Sequence, residues 1–259
     1  MTEIDLSAYA RDGDGSRRLR GYLARPDGRG PWPGVVVLHE VFGVDGEMRR
    51  HADHLAELGY LALLPDLYSD GGMLRCVART MRAVSTGHGR AFTDITAARS
   101  WLLAQPDCTG RIGVVGFCMG GGFAIAAAPE FDAAAPNYGL MPPDLAAAVR
   151  GACPTVASYA ARDRMLKGAA PRLKRALDAE GVPNDVKEYA AAGHSFMNTG
   201  PVGPRALRVV LRAMGTGPHP ESAADAWRRI EAFFGEHLGT ERADRDADGP
   251  TAADDDTER

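Results

Sequence analysis

Residues 113–122 read Gly113-Val114-Val115-Gly116-Phe117-Cys118-Met119-Gly120-Gly121-Gly122. A β-branched run ends in Gly-x-Cys-x-Gly and passes at once into Phe123-Ala124-Ile125-Ala126-Ala127-Ala128, a good helix former. The pattern predicts a strand, a sharp turn and a helix, with Cys118 on the turn. A nucleophile raised on such a turn sits in a strained backbone conformation, and side chains on its neighbours would clash; Gly116 and Gly120 remove those clashes. The helix that follows aims its free N–H groups and positive dipole end at Cys118, which favours thiolate over thiol. The N–H of Met119 is placed to donate to an oxyanion. Taken alone, the pattern also suits a buried structural cysteine, so the partners decide.

The rest of the chain alternates short apolar runs with amphipathic stretches. Gly34–Leu38, Tyr60–Leu64 and 111–115 are continuous apolar runs of strand length, the mark of strands buried on both faces. Ala133–Gly139, Thr155–Ala160 and Val186–Tyr189 read as further strands, and 3–9 with 18–24 as an edge hairpin around Asp12-Gly13-Asp14-Gly15. Helices are expected over 45–58, 91–104, 143–150, 169–180 and 221–238, the last with Ala224, Trp227, Ile230, Phe233 and Phe234 facing the core. Part of 69–87 should be helical, with Arg75, Arg79 and Arg82 on one face. This alternation implies an α/β fold: a doubly wound, mostly parallel sheet with right-handed crossovers and helices on both faces. Ligands of such sheets bind at the carboxyl ends of the strands, and Glu40, Cys118, Asp163 and His194 each fall just past a strand end.

A nucleophilic cysteine needs a base that shuttles a proton, and the base needs an orienting partner. His194 follows the 186–189 strand in Gly193-His194-Ser195-Phe196, and Asp163 follows the strand before it. The order Cys118, Asp163, His194 is the nucleophile–acid–histidine order of the α/β-hydrolase fold. His51, His54, His88, His219 and His237 lie on helices or on the wrong loops, and His39 comes too early. Asp144 and Asp178 are rivals for the acid, but they lie before or within helices.

Composition bounds the partners. The chain has 259 residues and a formal net charge of −4, so nucleic acid is not expected. Residues 240–259 hold eight acids and three arginines and lack any large apolar side chain, which leaves residues 1–239 near +1. The expected organisation is one α/β domain over 1–239 and a solvated, disordered acidic tail. Four cysteines, Cys76, Cys108, Cys118 and Cys153, fit neither a zinc site nor a disulfide framework, so no metal or cofactor is expected. No signal peptide or membrane span is visible, and a reducing cytoplasm is the expected location.

Four motifs in order carry a resemblance: His39-Glu40-Val41-Phe42-Gly43, Pro65-Asp66-Leu67-Tyr68, Gly116-Phe117-Cys118-Met119-Gly120-Gly121 and Gly193-His194-Ser195-Phe196. Over roughly 15–238 the chain resembles the dienelactone hydrolase family. That resemblance implies a cofactor-free hydrolase of enol lactones, the type reaction opening a dienelactone to maleylacetate. It implies that Glu40 contacts the resting thiol and takes its proton, and that the N–H groups of Met119 and Val41 hold the oxyanion. It further implies that His194, oriented by Asp163, activates the hydrolytic water. The family's type enzyme holds its substrate carboxylate with an arginine four residues past the catalytic histidine; Asn198 stands there. Asn198, Phe42, Phe196, Arg75 and Arg79 are the candidates for substrate contact, although the arginines also suit a solvated helix face. The other functions open are a broad carboxylesterase or thioesterase of the same fold and a non-catalytic ligand-binding protein. A monomer or small homo-oligomer acting on a small molecule is expected.

Overall fold

Strands form where apolar runs are short, β-branched and bounded by turn residues. In the computed structural model, which describes residues 2–10, 14–203, 205, 206, 208–213 and 215–239, eight such segments pair into one sheet. They are β1 (Thr2–Asp5), β2 (Arg20–Ala24), β3 (Trp32–Leu38), β4 (Leu61–Pro65), β5 (Cys108–Phe117), β6 (Ala133–Asn137), β7 (Thr155–Ala160) and β8 (Asn184–Tyr189). Their order across the sheet is β1-β2-β4-β3-β5-β6-β7-β8. Pairing is parallel from β4 through β8, while β1 and β2 form the expected antiparallel edge. This is an α/β-hydrolase-type arrangement. The turn expected at 12–15 falls partly, and the acidic tail wholly, outside the described residues.

The helices are α1 (Gly46–Glu57), α2 (Gly72–Thr86), α3 (Arg90–Leu103), α4 (Met119–Ala127), α5 (Leu145–Ala148), α6 (Ala169–Ala179), α7 (Arg208–Ala213) and α8 (Pro220–Leu238). Alternating strand side chains build two cores. Val35 and Val37 of β3 pack with Met48, Leu55, Ile230 and Phe234 from α1 and α8. Val36 and Leu38 pack with Ile95, Leu102, Phe123 and Ala124 from α3 and α4 on the opposite face. Asp45 caps α1 by accepting from the N–H groups of Glu47 and Met48, both at 3.0 Å.

Two expectations need correction. Ala224 of α8 is exposed, and Ala226 takes the buried place. The sequence reading also leaves Arg208–Ala213 out of the helix set. None of its residues is buried, and Val209 and Val210 face solvent, so it lacks the apolar stripe that announces a helix. Among the described residues no helix is long and apolar enough to cross a membrane.

Candidate active site

The turn after β5 is as tight as its glycines require. Cys118 has φ 54° and ψ −114°, a conformation that L-residues rarely adopt. A Cβ on Gly116 would lie 2.0 Å from the Gly120 carbonyl oxygen, and one on Gly120 would lie 2.1 Å from that of Leu38. The helix can therefore start directly behind the sulfur only with glycine at both places. Met119 is the first residue of α4, where a backbone N–H has no acceptor within the helix. Cys118 itself is partly exposed.

The loops after β7 and β8 bring in the base and its partner. His194 Nδ1 bonds Asp163 Oδ2 at 2.5 Å, with both side chains buried. The other oxygen of Asp163 accepts from the Met165 N–H at 2.9 Å, so the carboxylate is fixed from two sides. His194 Nε2 is buried without a hydrogen bond of ordinary geometry, yet the Cys118 sulfur lies close enough to act on the ring. Burial pulls the imidazole pKa down, but the Asp163 hydrogen bond and the facing sulfur outweigh it and raise it to about 10. Both causes favour the protonated ring, whose free nitrogen faces the nucleophile. The rival acids are otherwise engaged: Asp144 caps α5 through the Ala147 N–H at 3.0 Å, and Asp178 pairs with Lys174 at 2.9 Å.

The loop after β3 supplies Glu40, which is buried against the same centre. Burial raises its pKa, against the opposing pull of Ser195, His194 and Asn198. Its Oε2 accepts from Asn198 Nδ2 at 3.2 Å. His39 holds this loop: its Nδ1 meets the Glu40 carbonyl at 2.7 Å, and its Nε2 accepts from the Leu67 N–H at 3.2 Å. Burial lowers the His39 pKa, consistent with a neutral ring that donates at one nitrogen and accepts at the other. The Tyr68 hydroxyl donates to the Val41 carbonyl at 3.0 Å and so fixes the next peptide. Beyond the histidine, Gly217 N–H donates to His194 O at 2.9 Å and His219 N–H to Phe196 O at 3.0 Å.

Cys118, His194, Asp163, Glu40 and Asn198 are therefore brought together. Phe42 is half-buried and packs toward Gly203. Phe196 has no exposed surface; it lies between Tyr138 and Tyr189, with ring centroids 5.5 and 5.1 Å away, and shapes the site from beneath. Arg75 and Arg79 line a separate cleft of about 720 Å³ with Arg17, Arg18, Asp70 and Arg90, and none of the four acid–base and nucleophilic residues lines it. Sequence reasoning missed His39, Tyr68, His51 and Tyr138 as supports. Only Tyr68 and His39 had a signal, since they stand within the motifs around Asp66 and Glu40. Among the described residues no group of three His, Cys, Asp or Glu could hold a metal, and all four cysteines are free thiols.

The sequence profile of the dienelactone hydrolase family matches residues 19–238. A carboxymethylenebutenolidase from Pseudomonas putida is 30% identical over 195 residues, covering 69% of this chain and 81% of that protein. Among solved structures, m3DLH is 27% identical with a TM-score of 0.69, covering 85% of this chain and 93% of the other. A dienelactone hydrolase-like promiscuous phosphotriesterase from metagenomic libraries superposes with a TM-score of 0.72 at 24% identity, over 92% of this chain and 98% of the other.

Proposed function

Because this chain belongs to the dienelactone hydrolase family, we propose that it hydrolyses enol lactones and related carboxylic esters through Cys118, His194 and Asp163. The observation that carries this reading is the 2.5 Å Asp163–His194 hydrogen bond, with the remaining imidazole nitrogen open beside a cysteine held at positive φ on an elbow. That geometry gives each residue one role.

The Cys118 sulfur attacks the ester carbonyl carbon, and the π electrons move to oxygen. The N–H groups of Met119 and Val41 hold the oxyanion. The tetrahedral centre collapses, the carbon–oxygen bond to the leaving group breaks, and the His194 imidazolium protonates that oxygen. An enolate leaves readily because its charge is delocalised, which suits a sulfur nucleophile. The neutral imidazole then takes a proton from water as the water attacks the thioester, and collapse returns the thiolate and the imidazolium. Asp163 keeps the ring in the tautomer that presents Nε2 throughout. Glu40 stands beside this centre, where it can take the proton from any Cys118 sulfur that is protonated and so restore the attacking thiolate.

A broad carboxylesterase or thioesterase is the second reading, favoured by Asn198 and by the absence of any arginine bonded to Glu40 among the described residues. A non-catalytic binding protein would have no use for the Asp163–His194 pair. Hydrolysis of cis- and trans-dienelactone beside p-nitrophenyl acetate, by the wild type and Cys118→Ala, tests the proposal. Turnover of at least one substrate, lost in Cys118→Ala, is the expected result; turnover that survives the substitution contradicts it.

A further inference from the structure

The carboxyl of Glu40 is buried beside the reaction centre, where the positive charge that acts on it comes from the His194 ring, itself paired with Asp163. Glu40 Oε2 accepts from Asn198 Nδ2, whereas Oε1 is buried with no partner in ordinary hydrogen-bond geometry, although the Ser195 and Tyr138 side chains lie near enough to act on the carboxyl. Asn198 is not free to turn. Its Oδ1 meets His51 Nε2 at 3.2 Å, and the next N–H, of Thr199, donates to Glu47 Oε1 at 2.6 Å. His51 lies flat on Phe117, the residue before Cys118, with ring centroids 4.3 Å apart and planes 19° from parallel. Burial lowers the His51 pKa to about 4, so the ring is neutral, and the network then assigns its N–H to Asn198 Oδ1. The amide NH2 is thereby turned toward Glu40.

The charged groups that weigh most on Glu40 are His194, already bonded to Asp163, and Asp45, which repels a second negative charge. His39 accepts at Nε2 from the Leu67 N–H and so carries no charge in this arrangement, as its burial favours. Among the described residues no lysine or arginine bonds Glu40, Asn198, His51 or Tyr138. A substrate carboxylate placed here would lose its water and find an acid and only uncharged donors, the second Asn198 amide hydrogen and the Ser195 and Tyr138 hydroxyls, with no such lysine or arginine to balance its charge. An alkyl or uncharged ester group meets no such cost.

We infer that the site takes esters and lactones that carry no negative charge beside Glu40, and that Asn198, locked by His51, sets this selectivity. The inference rests on the cysteine-hydrolase reading and narrows it to uncharged substrates. Asn198 and His51 act through the charge and orientation of the site and are positioning residues.

The test compares p-nitrophenyl butyrate with mono-p-nitrophenyl succinate, which have acyl chains of matching length, only one ending in a carboxylate. The wild type is expected to prefer the butyrate by about tenfold or more in kcat/KM, with the difference in KM. Asn198→Arg supplies a charge-assisted donor and should narrow that ratio by about tenfold. His51→Gln keeps an N–H donor for Asn198 and should keep the ratio, whereas His51→Leu frees the amide to turn toward substrate and should narrow it. A merely structural role would lower both rates together and leave the ratio alone. A wild-type ratio within about threefold overturns the inference, as does an Asn198→Arg enzyme with an unchanged ratio. Should Asn198→Arg not fold, the wild-type ratio alone decides. Equal turnover of both esters, lost in Cys118→Ala, sinks the selectivity and spares the hydrolase reading; turnover of neither overturns the inference, and the hydrolase reading falls with it only if the dienelactones and p-nitrophenyl acetate also go unhydrolysed.

Discussion

Cys118 holds a positive φ that costs of the order of 1–3 kcal/mol, and the surrounding backbone leaves it no alternative. What the strain achieves is exposure of one sulfur to one imidazole. Since Asp163 is a principal cause of the raised His194 pKa, replacing it should bring that pKa down. In Asp163→Asn, kcat/KM should fall by roughly 10²–10⁴, and the alkaline limb of its pH profile should move from near pH 10 toward neutrality. A second titration belongs to stability. Asp94 is fully buried, bonded to Ser16 N–H and Oγ, both at 2.7 Å, and burial raises its pKa to about 6. A carboxyl raised in the folded state favours folding most below its ordinary pKa near 3.8, and that contribution is lost as pH climbs through 6. Asp94→Asn has no such dependence, so the wild type's unfolding free energy relative to the variant should decline between pH 4 and pH 7 in urea titrations. These residues differ in how far sequence betrays them. That Cys118, Asp163 and His194 would meet was legible, because chain order and strand ends locate them. The Glu40–Asn198–His51 chain was not: His51 looks like an ordinary helical residue until Asn198, 147 positions later, is folded against it.

Elements carry the next constraint, and glycine marks where they touch. In Gly120→Ala the new methyl would meet the Leu38 backbone at 2.1 Å, which no side-chain movement relieves. It should destabilise by about 3 kcal/mol or prevent folding. Gly46→Ala, at the start of α1 with only Arg50 nearby at 3.6 Å, should be neutral or slightly stabilising by chemical denaturation. Elements were legible where burial imprints a pattern. Runs such as Val35-Val36-Val37-Leu38, buried on both faces, could form only strands of a covered sheet. Arg208–Ala213 escaped because no buried face gives it a period. Val209→Lys with Val210→Lys should accordingly change stability by less than about 0.5 kcal/mol. Arg75 and Arg79 were correctly placed on a helix, but which side of α2 meets the site depends on packing that helical spacing does not encode.

At the scale of the whole molecule, parallel order makes the site. Because β3, β5, β7 and β8 all run the same way, the loops that follow them open on one rim, and residues up to 158 positions apart become neighbours. The family assignment spans that same framework, residues 19–238. Residues 240–259 contribute a net charge of −5 and no large apolar side chain. Deleting them should leave kcat/KM and Tm unchanged while bringing the formal charge to +1, which raises the isoelectric point. The most direct test of the central claim is mass spectrometry of the enzyme acid-quenched during turnover of p-nitrophenyl acetate. The account predicts one acetyl group on the peptide containing Cys118, present only while substrate remains and absent from Cys118→Ala. Turnover with an acetyl group on another side chain, or with the Cys118 peptide unmodified at every quench time, would contradict it.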